Sequence, residues 1–442
     1  MKIKLQMKLP TLIFVSLLVM LSCGSSDDID TSMDDSDDTT GPPNILLIIA
    51  DDMGVDASPG YAIGDIKPNM PNLERMINNG IVFNNMWSYA VCTPTRASML
   101  TGKYGFRTGI TGVGDVLPTS ETSIQKHLDL NNSGYAHAVF GKWHLSSDTA
   151  HPNNMGVGTY AGILSGGVRD YWNWDLYEGG QTSPSNTYTT TKFTDLAIDW
   201  VTAQSQPWFL WLAYNAPHTP FHLPDANLHS QGGLPNDQAS VDNNPLPYYM
   251  AMLEAMDTEI GRLLNAMTQQ ERDNTIIIFI GDNGTPNRVV QEYPRQRAKN
   301  SIYEGGIRVP MVISGAGVSR KGVSEDAILN STDMFATIAS LADADAGIMT
   351  DSKNFESMLH TSGISVRDYS YAEVNNGGND FDYAIRNDIY KYIRFADDTE
   401  AFYNLTDDPL EETNLLNTNG GLSSEEATNK TNLETQLNNI TQ

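Results

Sequence analysis

Two cysteines in 442 residues, Cys23 and Cys92, are too few for a disulfide framework. Cations are scarce as well: Lys and Arg number 27 against 54 Asp and Glu, a formal net charge of -27. Such a surface repels phosphate backbones and argues against a nucleic-acid binder, so any anionic ligand must meet a local positive pocket. The apolar stretch Leu12 to Leu21, broken only by Ser16, is too short for a comfortable membrane-spanning helix. Core material is not lacking: 40% of the chain is hydrophobic and 9% aromatic, which excludes wholesale disorder. The length fits one large domain or two unequal ones.

Lys2, Lys4 and Lys8 precede that apolar stretch, the pattern of a signal peptide, here residues 1–22. Met20-Leu21-Ser22-Cys23-Gly24 resembles a bacterial lipobox, whose cysteine is lipidated and becomes the mature N-terminus; Met stands where Leu is commoner. Plain signal cleavage, leaving Cys23 as an idle thiol, is the other reading. Residues 23–43, rich in Asp and Ser and closed by Gly41-Pro42-Pro43, form an acidic, solvated linker. An acidic patch after a lipidated cysteine resembles the surface-export signal of Bacteroidetes-type lipoproteins. The expectation is an exported bacterial lipoprotein at the outer membrane or cell surface, with the periplasm as the alternative.

From Asn44 the texture changes. Asn44 to Ala50, Ala136 to Phe140, Trp208 to Tyr214 and Thr275 to Ile280 are apolar runs without alternation, as expected of strands covered on both faces. Helical spacing separates them, most clearly at Phe193, Leu196, Ala197, Trp200 and Val201. The pattern predicts an α/β fold around a large, mostly parallel mixed sheet flanked by helices. Each strand runs into chemistry: Asp51-Asp52, then Gly141-Lys142-Trp143-His144, then Asn215-Ala216-Pro217-His218, then Gly281-Asp282-Asn283-Gly284. In open α/β sheets ligands sit outside the carboxyl ends of the strands, so these groups gather at one edge. Asp51, Asp52, Asp282 and Asn283 are hard oxygen donors that suit Ca²⁺ or Mg²⁺ better than zinc. Three crowded carboxylates without a cation would raise one another's pKa.

Cys92-Thr93-Pro94-Thr95-Arg96-Ala97-Ser98-Met99-Leu100-Thr101-Gly102 closely resembles the signature of type I sulfatases, of the alkaline-phosphatase-like superfamily. Its Cys-x-Pro-x-Arg core is intact, with Thr95 where Ser is commoner. Pro94 suits the first turn of a helix and Gly102 its end, which puts residue 92 at a helix N-terminus that favours an oxyanion. The resemblance extends to the block Lys299-Asn300-Ser301-Ile302-Tyr303-Glu304-Gly305-Gly306 and over most of the mature chain, in the family's order.

That resemblance implies a sulfatase. Cys92 is oxidised by a formylglycine-generating maturation enzyme, and its hydrate is the nucleophile. One Ca²⁺ per chain, with Mg²⁺ as the alternative, is held by Asp51, Asp52, Asp282, Asn283 and the modified residue 92. Lys142 and Lys299 clamp the sulfate, with Arg96 beside the hydrate. His218 protonates the leaving oxygen, and His144 takes the proton whose loss expels sulfate. His222 is open between substrate contact and an exposed loop, as are Arg288, Arg295 and Arg297 between anionic sugars and solvent. The aromatic segment Tyr171 to Tyr177 would either stack on sugar rings or join the core.

Toward the C-terminus a helix is expected over Asn330 to Ala342. Four short Tyr-rich runs follow, Tyr369 to Val374, Tyr383 to Arg386, Tyr390 to Phe395 and Ala401 to Leu405, which predict an antiparallel meander. A polar helix over Ser423 to Asn439 closes the chain. The domains expected are a catalytic one at 44–345 and a smaller four-stranded one at 346–442. Export, a lipid anchor and a sulfatase site suggest breakdown of sulfated oligo- or polysaccharides: ulvan, carrageenan, fucoidan, or host glycosaminoglycans. Two rival functions stay open: a phosphoester or phosphonate ester hydrolase on the same scaffold, and a surface glycan-binding lipoprotein with a dead site.

Overall fold

The computed structural model describes residues 41–378 and 380–442; the signal peptide, Cys23 and nearly all of the acidic linker lie outside them. The four apolar runs are strands: β1 Asn44–Ala50, β3 Ala136–Lys142, β7 Trp208–Ala213 and β8 Thr275–Gly281. The others of the main sheet are β2 Gly80–Trp87, β4 Thr159–Ile163, β5 Trp174–Glu178, β6 Gln181–Ser185, β9 Met311–Gly315 and β10 Val323–Asn330. The order is β10-β2-β9-β8-β1-β7-β3-β4-β5-β6. From β8 to β4 every pairing is parallel, while β9 and the β5–β6 hairpin run antiparallel to their neighbours.

Both faces of β1 are dry. Leu46 and Ile48 join one core, under the helices Thr189–Val201 and Leu246–Ala266; Ile45, Leu47 and Ile49 join the other, under Cys92–Thr101 and Asp333–Leu341. The strand period of two therefore feeds two helical layers, and the architecture is α/β/α. The helix expected from Asn330 starts only at Asp333. Asn330 ends β10, and its N–H donates to the Asp333 carboxylate (2.8 Å), which turns the chain before the helix begins.

A second sheet is the expected meander: β11 Ser370–Asn375, β12 Phe381–Arg386, β13 Tyr390–Arg394 and β14 Glu400–Asn404. One face, with Tyr371, Ile385, Tyr392 and Phe402, is covered by Leu433 and Leu437 of the final helix Ser424–Thr441. The other face, with Ala372, Ala384, Ile393 and Ala401, packs on Trp87, Ile302 and Ile307 of the main body.

A buried charge cluster pins that second contact. Lys391 Nζ lies 3.1 Å from Glu304 Oε1 and 2.8 Å from Glu411 Oε1, and the Trp87 indole N–H also donates to Glu304. Removing one member of such a cluster leaves an uncompensated buried charge. Lys391→Ala should therefore lower the unfolding free energy by about 3–5 kcal/mol, read by denaturant titration, with part of the loss returned by Glu411→Gln. A loss below about 1 kcal/mol, the size of an exposed pair, would show that the cluster does not pin the junction.

Candidate active site

The helix Cys92–Thr101 is buried along all ten residues and ends as expected, with Gly102 left-handed (φ 68°) and its N–H bonded to Ser98 O (2.8 Å). Thr95 ties its first turn to the preceding loop by accepting the Tyr89 N–H (3.0 Å). Cys92, 3% exposed, thus stands at the N-terminus of a ten-residue helix, where the backbone N–H groups favour an anion.

Around it the strand ends converge. Lys142 Nζ is 2.6 Å from Asp51 Oδ2, and Lys299 Nζ donates to Asp52 Oδ1. Arg96 places Nε (3.1 Å) and Nη2 (2.7 Å) on Asp282 Oδ2 and Nη1 on the Lys142 carbonyl. Asn283 Nδ2 donates to Asp52 Oδ1 (2.8 Å), and Asp52 N–H to Asp282 Oδ1 (3.0 Å). His144 Nδ1 lies 3.2 Å from Cys92 Sγ, the atom standing where a nucleophilic oxygen would be in the oxidised residue. His218 Nε2 lies 3.9 Å from Asp52 Oδ2, while its Nδ1 faces Thr219 O at 2.8 Å. The structure therefore brings together all ten residues expected at the site.

Two observations bear on a cation. Asp51 Oδ1 and Asn283 Oδ1 are buried acceptors with no hydrogen-bond partner, a costly state that a hard cation would relieve. Ligand atoms of Asp51, Cys92 and Asp282 lie within 4.8 Å of one another, as do those of Asp51, Asp52 and His218. The residues fit an oxygen-loving divalent ion, which Asp51, Asp52, Asp282 and Asn283 would hold.

The electrostatics point the same way. Burial, and then the charge of Asp51, push Asp282 up to about 6. Burial works to raise Asp52 too, but Lys299, His218 and Lys142 outweigh it and hold that carboxyl well below its usual range. Burial first, then Lys142, Arg96 and their neighbours, drive His144 down to about 2, so its ring is neutral. Burial also raises the Cys92 thiol, which makes an unmodified cysteine a poor nucleophile here.

A cleft of about 470 Å³ opens over these groups, lined by Asp52, Cys92, His144, His218 and Lys299 among others. Three of its residues hold positive φ without being glycine: Asp52 (73°), His144 (57°) and Asn300 (72°), with Asn300 set next to Lys299. Such strain concentrates where side chains must be aimed. A second cavity of about 340 Å³ shares Val91, Val113 and Asn300 with the first and reaches Glu373, Asn375 and Asn376 around the end of β11. Among the described residues no Lys or Arg lines it.

The residues left open by sequence lie elsewhere. His222 is held by Tyr188 Oη (3.0 Å) and Pro220 O (2.9 Å), and burial lowers it to about 4. Arg288 pairs with Asp242 on the surface; Arg297 donates to Glu411 O and covers the Tyr303 ring; Arg295 is exposed; none lines the cleft. Tyr171 and Trp174 belong to the core, while Trp172 and Tyr177 of that aromatic segment are half-buried. Sequence reasoning passed over Gly166 and Gly167, against which the two histidine rings rest, and weighed Tyr171 only as a sugar platform or core residue, whereas its hydroxyl reaches the His218 turn. Their signal was a Ser-Gly-Gly turn beyond the end of β4, one more strand with chemistry after it.

A mixed sheet with oxygen ligands and lysines at its carboxyl edge, and a small antiparallel sheet beside it, define an alkaline-phosphatase-like fold. The chain belongs to the sulfatase family, whose members are sulfuric ester hydrolases: the Sulfatase profile matches residues 43–344, and that of the N-sulphoglucosamine sulphohydrolase C-terminal region matches 296–442. It is 28% identical to arylsulfatase J of Mus musculus over 69% of this chain, and spans 53% of that relative's length. It is 26% identical to an ulvan-active sulfatase of Formosa agariphila, over 94% of this chain and 85% of that one. Among solved structures it resembles Ps i-CgsB, determined also with k-i-k-neocarrahexaose (TM-score 0.77, 26% identity, 90% of this chain and 92% of that one).

Proposed function

We propose that this protein hydrolyses sulfate esters of a sulfated polysaccharide or its oligosaccharides. It does so with Cys92 converted to formylglycine by a maturation enzyme and with one divalent ion, Ca²⁺ by its donor set. The observation that carries the reading is the position of Cys92: at a helix N-terminus, 3.2 Å from a neutral His144 and clustered with the carboxylates of Asp51 and Asp282. When in place, the aldehyde hydrate supplies the nucleophile and the ion lowers its pKa and draws charge from the sulfate oxygens.

The chain's own groups do the rest. Lys142 and Lys299 orient the sulfate by charge, and Arg96 fixes Asp282 so that one of its oxygens keeps its direction. His144 Nδ1 accepts the proton from residue 92 that accompanies sulfate release. His218 Nε2 faces the cleft and donates a proton to the departing sugar oxygen. The ulvan-active relative and the neocarrahexaose held by Ps i-CgsB support a polysaccharide substrate. The second cavity has room for a neighbouring ring, and its amides and carboxyl without a cation suit an uncharged sugar better than a sulfated one. We read the N-terminal pattern as an export signal with a lipid anchor on Cys23, placing the enzyme at a bacterial surface.

Turnover of an aryl sulfate should exceed that of the matching aryl phosphate by at least about a hundredfold in kcat/KM, about 2.7 kcal/mol. Released sulfate from defined oligosaccharides should then be greater when the residue beside the sulfated sugar is neutral. Preference for the phosphate ester would replace this reading with the phosphoesterase one, and tight glycan binding with no sulfate released would replace it with a binding protein.

A further inference from the structure

One loop touches both histidines. Beyond β4, Leu164 O accepts the backbone N–H of His144 (3.2 Å). Two residues on, a Cβ on Gly166 would sit 2.7 Å from Cε1 and Nε2 of the His144 ring, and one on Gly167 would sit 3.1 Å from Nδ1 of the His218 ring. Neither glycine has a positive φ, so the missing side chain, rather than backbone freedom, is what each ring needs. The loop is closed on itself by Ser165 Oγ donating to Gly167 O (2.9 Å).

The same loop ends at Tyr171, 1% exposed, whose hydroxyl lies 2.7 Å from Asn215 O and 2.6 Å from His218 O. His218 N–H already donates to Asn215 O at 3.0 Å. The single Tyr171 proton is thus shared between the two carbonyls that open and close the turn carrying His218. Tyr171 itself is fixed by the core and by the Thr189 N–H on its carbonyl (2.9 Å), so the turn is tied to the scaffold.

We propose that the loop 164–171 is the gauge that sets where the two proton-transfer rings stand, with Tyr171 the positioning residue for His218 and Gly166 that for His144. The inference rests on the acid and base roles assigned above. Proton transfer falls off steeply once donor and acceptor leave hydrogen-bond reach, so sub-ångström play in the His218 turn is felt in the protonation of the leaving oxygen. In that step an oxygen of the hydrate at residue 92 would bond to sulfur as the S–O bond to the sugar breaks, the electron pair staying on the sugar oxygen and the Nε2 proton going to it.

The test is the dependence of turnover on leaving-group pKa, measured across a series from nitrophenyl to alkyl sulfates. His218→Ala should steepen that dependence, because a nitrophenolate leaves unaided. Tyr171→Phe, which removes one oxygen, should steepen it in the same sense, about tenfold on the poorest leaving groups and far less on the best. In the His218→Ala background it should add nothing, since the donor it positions is gone. Gly167→Ala, which presses on the same ring, should steepen the dependence as well. Gly166→Ala should instead lower a kcat ceiling common to all substrates, felt most on the best leaving groups, because its effect lies in the His144 step that follows S–O cleavage. If Tyr171→Phe slows all substrates in parallel, or multiplies with His218→Ala, the hydroxyl is only structural and the gauge is refuted. If His218→Ala itself leaves the dependence unchanged, the acid role fails and the gauge falls with it, a result distinct from the previous one.

Discussion

Replacing Cys92 by alanine should abolish turnover on every sulfate ester, a loss on the order of the 10⁶-fold that follows deletion of the covalent nucleophile of a serine protease. Besides Cys92 the cleft is lined by one hydroxyl, that of Thr219, and by carboxylate, histidine, lysine and amide groups, of which Asp52, His218 and Lys299 are engaged with one another. The same position should react with a hydrazide rather than with a thiol reagent in active protein, because the proposed nucleophile derives from an aldehyde. Peptide mass spectrometry across residues 92–102 measures both. Full activity with the thiol intact would overturn the proposed chemistry while leaving the family assignment in place.

Chelation should be nearly as severe, and it should be visible without any substrate. With the ion gone, Asp51 Oδ1 and Asn283 Oδ1 have no partner, and Asp282 is pressed toward its neutral form by burial and by Asp51. Activity should fall to background and the melting temperature should drop. Returning Ca²⁺ to a free concentration of about 100 times its Kd should restore about 2.7 kcal/mol of stability, with Mg²⁺ no better. Recovery of both stability and turnover by zinc alone would contradict the oxygen-donor reading of the site.

The parts of the fold that the sequence displays are those with one environment on both faces. β1, β3, β7 and β8 are buried throughout, and their unbroken apolar runs mark them. β10 carries Ser324, Glu325 and Asp326, and β6 reads Gln-Thr-Ser-Pro-Ser, exposed on an edge hairpin; pairing, not composition, makes these strands. The longest helix, Leu246–Ala266, buries Glu254, Asp257 and Glu259 along with its apolar residues, which blurs the amphipathic signal. Glu254 and Asp257 are satisfied by the backbone N–H groups of Asn69, Asn72 and Leu73, partners far away in sequence. The site was legible because its residues lie at strand ends whose strands could be recognised. Gly166 and Gly167 were not, since β4 is only five residues long and opens on an exposed Thr159.

The pairing of each cation of the site with a carboxylate has a consequence for what the site can tell apart. Asp51, Asp52 and Asp282 contribute three negative charges, and Lys142, Lys299 and Arg96 three positive ones, so the dry centre sums to zero before anything binds. A divalent ion takes the sum to plus two. A sulfate ester carries one negative charge and a phosphate monoester two near neutral pH, so the two anions leave the filled site one unit of charge apart. In a place where burial makes every unbalanced charge expensive, that unit gives the site a means of telling two nearly isosteric tetrahedral anions apart by charge rather than by shape.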